Sequence, residues 1–322
     1  MNKLRGEHEI KLDADEIALI FQSDKLDNLA ELIATERESL ENILTKHKGI
    51  QFQHEDNFDV DKALEDLVPE TKLGDIWQLG QHRIICADCS DERSIKRLME
   101  DKKADMVFTD PPYNLNYDFH DNGMVQTGQR KARFDKIEND AMEDKDFEDM
   151  ITNAFKLMYL QMNDGCPYYL TGRRESTMIF NNVLEDLGFH IQSWIVWAKE
   201  HFNISRFDYH PKHEIITYGW KKGEKHPWYS DRGQTDVWEY DRQIGKTQHP
   251  TEKPISLIAY AIHNSSQENN TIFDPFLGSG STLIACEQTN RICFGCEIDP
   301  HYCDVVVKRW EAFTGKSGQK VQ

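Results

Sequence analysis

From about residue 74 to the C-terminus, short apolar runs alternate with segments of helical periodicity, and this limits the fold more than any other feature of the chain. Runs at Arg83–Cys86, Asp105–Phe108, Pro167–Leu170, Ile191–Ala198, Glu214–Tyr218, Thr271–Phe273 and Ile292–Glu297 read as strands. Glu92–Met99, Phe147–Met162, Pro254–Asn264, Ser281–Glu287 and His301–Phe313 read as helices. Pro254 falls in a first turn, where a missing N–H does no harm. Strands separated by helices predict an α/β fold with a doubly wound, mostly parallel sheet. Such a sheet binds ligands outside the C-terminal ends of its strands. Two of those ends carry unusual residues.

The first is Asp110-Pro111-Pro112-Tyr113, directly after Met106-Val107-Phe108-Thr109. Neither proline can donate to a strand ladder, so the chain must leave the sheet in a stiff, extended turn. That turn holds a carboxylate at the strand end, with an aromatic ring three residues on. An acceptor carboxylate, fixed carbonyls and a stacking ring suit a planar, amino-bearing substrate such as a nucleobase. Taken alone, the tetrapeptide is equally a proline turn that ends a strand.

The second is Asp274-Pro275-Phe276-Leu277-Gly278-Ser279-Gly280-Ser281-Thr282, joining a strand to a helix. Its glycines permit a tight turn and close backbone approach to a ligand. The next strand ends in Glu297, 17 residues after Gly280, near the spacing at which an acid holds ribose hydroxyls. The loop is not G-x-G-x-x-G, there is no G-K-[ST], and Asp274 would repel a pyrophosphate. An adenosyl ligand without phosphates, such as S-adenosylmethionine, fits better than a dinucleotide.

Composition narrows the setting. With 322 residues, 39% of them hydrophobic, the chain can bury a large core. Mean hydropathy is −0.69, and no apolar run approaches the roughly 20 residues of a membrane span. The polar start of the sequence has no signal-peptide core, which points to a soluble, cytoplasmic protein. Seven cysteines, mostly in apolar stretches, read as small core residues of a reducing compartment. The spacings Cys86-x-x-Cys89 and Cys293-x-x-Cys296 leave structural zinc as the alternative, but both pairs lie in or beside strands, and no metal is expected. The net charge of −18 argues against DNA binding by the whole surface. Residues 1–70 hold 18 acidic against 8 basic side chains. They show helical periodicity at Leu26-Leu29-Leu32-Ile33 and Leu40-Leu44, then a shorter helix near Asp61–Leu67. The basic clusters Arg130-Lys131-Ala132-Arg133 and Lys221-Lys222 with Lys225 suit either a DNA groove or a solvated loop. Trp220, Trp228, Tyr229, Trp238 and Tyr240 suit either DNA contact or packing of a small subdomain. His213-Glu214 resembles a catalytic pair, but position 217 is Thr, so H-E-x-x-H fails and a structural or base-pocket role is expected.

The two motifs in this order resemble the β group of DNA amino-methyltransferases, over roughly residues 72–315. Gly74–Gly80, Cys86-Ala87-Asp88-Cys89, His249-Pro250-Thr251-Glu252-Lys253-Pro254 and Arg291–Asp299 with Tyr302 are also similar to that family's elements. The lead-in and C-terminal parts further resemble phage and mobile-element methylases with a ParB-like N-terminal domain, of which residues 1–70 could hold only a remnant. The resemblance implies a Rossmann-like methyltransferase fold, S-adenosylmethionine as cofactor and DNA as substrate. It implies catalytic roles for Asp110, Pro111, Pro112 and Tyr113. Asp110 and the Pro111 carbonyl would accept from the exocyclic amine, and Tyr113 would stack on the flipped base. It implies a cofactor pocket of Asp88, Cys89, Asp110, Lys253, Asp274, Phe276, Gly278, Gly280, Ser281, Thr282, Glu297 and Ile298. Asp at 110, where the cytosine enzymes more often carry Ser, leans toward adenine N6. Cytosine N4 and a catalytically idle DNA-binding protein are the alternatives. The domain expectation is an acidic helical appendage at 1–70 and a catalytic domain at 71–322. Within the latter, 114–140 is expected to be a mobile loop and 200–248 a target-recognition region. A homodimer and a cognate restriction nuclease are the further partners implied.

Overall fold

The computed structural model describes residues 55–65, 67–114, 142–202, 208–240 and 252–321. The expected helices before residue 54, most of the 114–140 loop with its basic cluster, and parts of the 200–248 region lie outside them. A short helix, α1 (Val60–Glu65), precedes an alternating series. It runs β1 (Ile76–Leu79), β2 (His82–Cys86), α2 (Glu92–Met99), β3 (Met106–Thr109), α3 (Asp144–Gln161), β4 (Pro167–Gly172), α4 (Arg174–Asp186), β5 (Phe189–Ala198) and β6 (His213–Lys221). It continues with β7 (Val237–Glu239), α5 (Ile255–Ser265), β8 (Thr271–Asp274), α6 (Ser281–Gln288), β9 (Ile292–Glu297), α7 (Pro300–Thr314) and β10 (Gln319–Val321).

One ten-stranded sheet has the order β10-β1-β2-β9-β8-β3-β4-β6-β5-β7. Its centre, β2-β9-β8-β3-β4, is parallel. The strands β3, β4 and β8 are buried at every position, as expected where helices cover both faces. Helices α2, α3 and α4 pack on one face, where Leu98, Phe155, Phe180 and Leu184 meet Val107, Tyr168 and Phe273. Helices α5, α6 and α7 take the other. Caps fix the helix entries: Asp91 accepts from the Ser94 N–H at 3.1 Å, and Asp299 from the His301 N–H at 2.8 Å.

The flanks depart from the parallel expectation. β1 pairs antiparallel with β2 and β10, and β6 pairs antiparallel with β4 and β5. Among the described residues no helix lies between β5 and β6, and strands that follow each other without a crossover helix pair antiparallel. Helix α4 was not expected from the sequence. Its run of Ser, Thr and Asn has weak helix propensity, and burial of Phe180 and Leu184 overrides it. Among the described residues no helix is long and apolar enough to cross a membrane.

The chain leaves β3 toward β4 on one side and β8 toward β9 on the other. Between these adjacent strands the direction of winding reverses, which opens a crevice at their C-terminal ends. Asp110 follows β3 there, and Asp274 ends β8.

Candidate active site

Asp110 is gripped through both carboxylate oxygens. Oδ1 accepts from the Tyr113 hydroxyl at 2.5 Å and from the Thr171 hydroxyl of β4. Oδ2 takes the Lys253 ammonium at 2.5 Å. Lys253 precedes α5, and its side chain is only 6% exposed. A buried ammonium needs anions around it. Besides Asp110, it has Oε2 of Glu214 on β6 at 3.5 Å. Glu214 in turn bonds Lys199 at the end of β5 through Oε1, and both of these side chains are buried.

Two cations lie within reach of the Tyr113 ring, with Lys253 Nζ at 5.5 Å and Arg173 Cζ at 5.9 Å from its centre. Burial, then the Asp110 and Glu214 charges, pushes its phenol well above the ordinary tyrosine range, so it stays a neutral donor. Asn114 next to it has a positive φ of 54° and clasps Met142 through two hydrogen bonds. Its Nδ2 donates to the Met142 carbonyl at 3.1 Å, and its Oδ1 accepts from the Met142 N–H at 2.8 Å.

The neighbouring strand end is built from backbone and hydroxyl groups. Asp274 is buried and accepts at Oδ1 from the Thr109 hydroxyl at 2.7 Å and the Phe276 N–H at 3.0 Å. Burial pushes it up to about 6, while the Thr282 and Thr109 hydroxyls partly oppose this. Leu277 N–H donates to the Cys296 carbonyl at 2.9 Å, seating the loop on β9. Gly278, at φ 54°, donates its N–H to Glu297 Oε2 at 2.8 Å, and Asp299 N–H reaches Oε1 at 2.8 Å. Burial pushes Glu297 up to about 7 against those two bonds. A Cβ on Gly278 would meet nothing within 4 Å, so open space lies over the loop. At Gly280, with φ 87°, a Cβ would meet Val306 at 3.0 Å, which explains glycine there. Open space beside a glycine, a strand-end carboxylate and a buried acid under the loop fit an adenosyl group without phosphates.

A buried guanidinium locks this loop from below. Arg309 of α7 makes two bonds to Asp56, at 2.6 and 2.8 Å, one to Glu252 at 2.5 Å and one to the Ser279 carbonyl at 3.1 Å. Burial opposes its charge, but the Asp56 and Glu252 carboxylates together hold it above its usual value. Glu252 also accepts from the Ser279 and Ser281 hydroxyls.

Asp110, Tyr113 and Lys253 thus form one group, and Asp274, Phe276, Gly278, Gly280, Ser281, Thr282 and Glu297 the adjacent one. The Thr109–Asp274 hydrogen bond joins them. Lys253, expected among cofactor contacts, lies against Asp110. Asp88 is exposed and receives the Ser90 N–H and hydroxyl at 2.8 Å. Cys89 is buried, its thiol raised first by burial and then by the Asp88 and Glu297 charges. The Ile298 carbonyl accepts from the Cys86 thiol at 3.7 Å. Thr171, Arg173, Lys199 and Arg309 carried no motif signal. Glu214 did, in the His213-Glu214 pair, and Glu252 within the H-P-T-E-K-P element.

Of the aromatic residues left open between DNA contact and packing, Trp238 is buried against Tyr169 and Tyr260. Trp220 stacks on His226 at 3.8 Å, whereas Trp228 and Tyr229 keep exposed surface. The cysteines are free and buried. Among the described residues no cluster of three or more His, Cys, Asp or Glu could hold a metal ion.

A family model described as DNA methylase, of the N6/N4 type, matches residues 104–308, which span both strand ends. The chain belongs to the N6/N4 DNA methylases. Among individual relatives, the Type II methyltransferase M2.MboI of Moraxella bovis is 29% identical over 237 residues, covering 67% of this chain and 83% of its own. The solved PvuII DNA methyltransferase, described as cytosine-N4-specific, has a similar fold, with a TM-score of 0.55 and 14% identity over 72% of this chain and 87% of its own. The M1.HpyAVI–SAM complex superposes with a TM-score of 0.51 and 22% identity, covering 70% of this chain and 98% of its own. The Rossmann-like methyltransferase fold of this DNA methylase is thereby shared with solved members.

Proposed function

We propose that this methylase transfers a methyl group from S-adenosylmethionine to the N6 amine of adenine in DNA. The observation that carries this reading is the direct link between the two strand ends, Thr109 Oγ1 to Asp274 Oδ1 at 2.7 Å. It sets an acceptor carboxylate beside a phosphate-free nucleoside cradle. When bound, S-adenosylmethionine supplies a methyl group already activated by its sulfonium, so the protein's task is alignment and exclusion of water. Glu297 would accept from ribose hydroxyls, its orientation fixed by the Gly278 and Asp299 N–H groups.

A duplex adenine must leave the stack to reach this crevice, at a few kcal/mol that ring stacking offsets in part. Tyr113 supplies the ring. Its hydroxyl now fills the place on Asp110 Oδ1 that the amine would take, so base entry requires the phenol to withdraw. Asp110 and the Pro111 carbonyl then accept the two amine hydrogens, which leaves the nitrogen lone pair free to attack. Asp110 takes the proton released after transfer. The carboxylate at 110, in place of the serine more usual in cytosine-directed members, supports adenine. Residues 114–140 close over the site in this reading, residues 200–248 read the target sequence, and 1–70 form a separate appendage.

The test is incubation with unmethylated DNA and S-adenosylmethionine, then nucleoside mass spectrometry. N6-methyladenine is expected. N4-methylcytosine would move the reading to the cytosine amine, and no modified base on varied DNA would overturn it.

A further inference from the structure

The charge on Asp110 does not stand alone. Behind it runs a buried alternation of charges: Asp110, Lys253, Glu214, Lys199. The four come from the turn after β3, the segment before α5, strand β6 and the end of β5. Glu214 is placed by the sheet itself, opposite Trp197 in the β5–β6 register. The side chains of Lys253, Glu214 and Lys199 are 6%, 3% and 4% exposed. Buried ion pairs contribute little net stability compared with apolar packing, so a chain of them calls for another explanation.

We propose that Glu214 is a positioning residue for methyl transfer: it holds the Lys253 ammonium against Asp110 Oδ2, with Lys199 as its own counter-charge. The inference rests on the reading of Asp110 as acceptor of the substrate amine. With Oδ2 pinned by Lys253 and Oδ1 steered by Thr171, the carboxylate cannot rotate when Tyr113 withdraws. One lone pair then stays aimed into the crevice. Without the Glu214 charge, two buried ammonium groups of this cluster face a single carboxylate. Lys253 and Lys199 then repel each other, and the grip on Asp110 loosens. A misplacement of about 1 Å in such a group lowers turnover about a hundredfold.

The experiment compares wild type, E214Q, E214D, K199M and the double variant E214Q/K199M. It measures kcat and KM on DNA, the Kd for S-adenosylmethionine by calorimetry, and Tm. E214Q is expected to lose about a hundredfold in kcat, with KM and Kd within about twofold of wild type. E214D retains a carboxylate and is expected to recover about tenfold of that loss. The double variant, with one ammonium left for one carboxylate, is expected to exceed E214Q in kcat even where its Tm is no higher. The inference is overturned if kcat follows Tm across the series, if KM or Kd moves in place of kcat, or if the double variant is no better than E214Q. An active wild type with an equally active E214Q overturns it alone, whereas a wild type that modifies no base overturns the underlying reading and the inference with it.

Discussion

The ends of β3 and β8 are neighbours in one sheet, each carries an aspartate followed by proline, and they are held in opposite ways. Asp110 is held by side chains alone, with a buried ammonium on one oxygen and two hydroxyls on the other. Asp274 is held by a strand-end hydroxyl and its own loop's backbone, with burial raising it to about 6. The first arrangement fixes the direction in which a carboxylate points. The second suppresses charge beneath a loop whose working groups are N–H donors and Glu297. In the proposed reading the two similar dipeptides serve reaction and binding, and their partners make the difference.

That contrast is most open to breakage at Asp110. Asp110→Ala should lower methyl transfer about a thousandfold, near 4 kcal/mol, while the Kd for S-adenosylmethionine stays within about twofold. A large change in Kd would mean that the two ends are not separate in function.

Asp274→Asn probes the other end through stability. Asp274 is raised above its unfolded value, so the stability it contributes is fully present below about pH 4 and is lost as pH rises through about 6. Asparagine stays neutral and can keep both bonds at Oδ1. The stability of the variant relative to wild type should therefore rise by about 3 kcal/mol between pH 4 and 7, as followed by denaturant unfolding. A pH-independent difference would remove burial as the cause.

Glu297→Ala should weaken S-adenosylmethionine binding about thirtyfold, near 2 kcal/mol, because hydrogen bonds to its carboxyl group are lost. Calorimetry would show it, and an unchanged Kd would assign Glu297 to loop support alone. The smallest effect belongs to Tyr113→Phe. It keeps the ring and removes a bond that the substrate amine must displace, so kcat should stay within about fivefold of wild type. A hundredfold loss would give the hydroxyl a part in the reaction.

Much of the scaffold was legible because its signals are local. Helix α2 runs over Glu92–Met99 and β9 over Ile292–Glu297, as their periodicity predicts, and the two proline and glycine turns lie at strand ends. What stayed hidden depends on distance. Lys253 and Asp110 are 143 positions apart, and nothing in either neighbourhood announces their pairing. Arg309 looks like any basic residue on a helix until Asp56, Glu252 and the Ser279 carbonyl converge on it. Helix α4 is decided by the burial of Phe180 and Leu184, which propensity does not report. The antiparallel turn of β5 into β6 agrees with the lack of helical periodicity between their apolar runs, whereas the pairing of β6 with β4 is a long-range choice that neither run announces.

The clasp between Asn114 and Met142 has a consequence for Asp110. Two hydrogen bonds fasten Asn114, next to the Asp110–Tyr113 turn, to Met142, just ahead of α3. Closing a span of any length between these fixed posts grows only slowly more unfavourable, by about 0.6 kcal/mol per doubling. The clasp therefore ties the end of the Asp110 turn to the approach to α3, so the position of Asp110 depends little on the length of chain between the two posts.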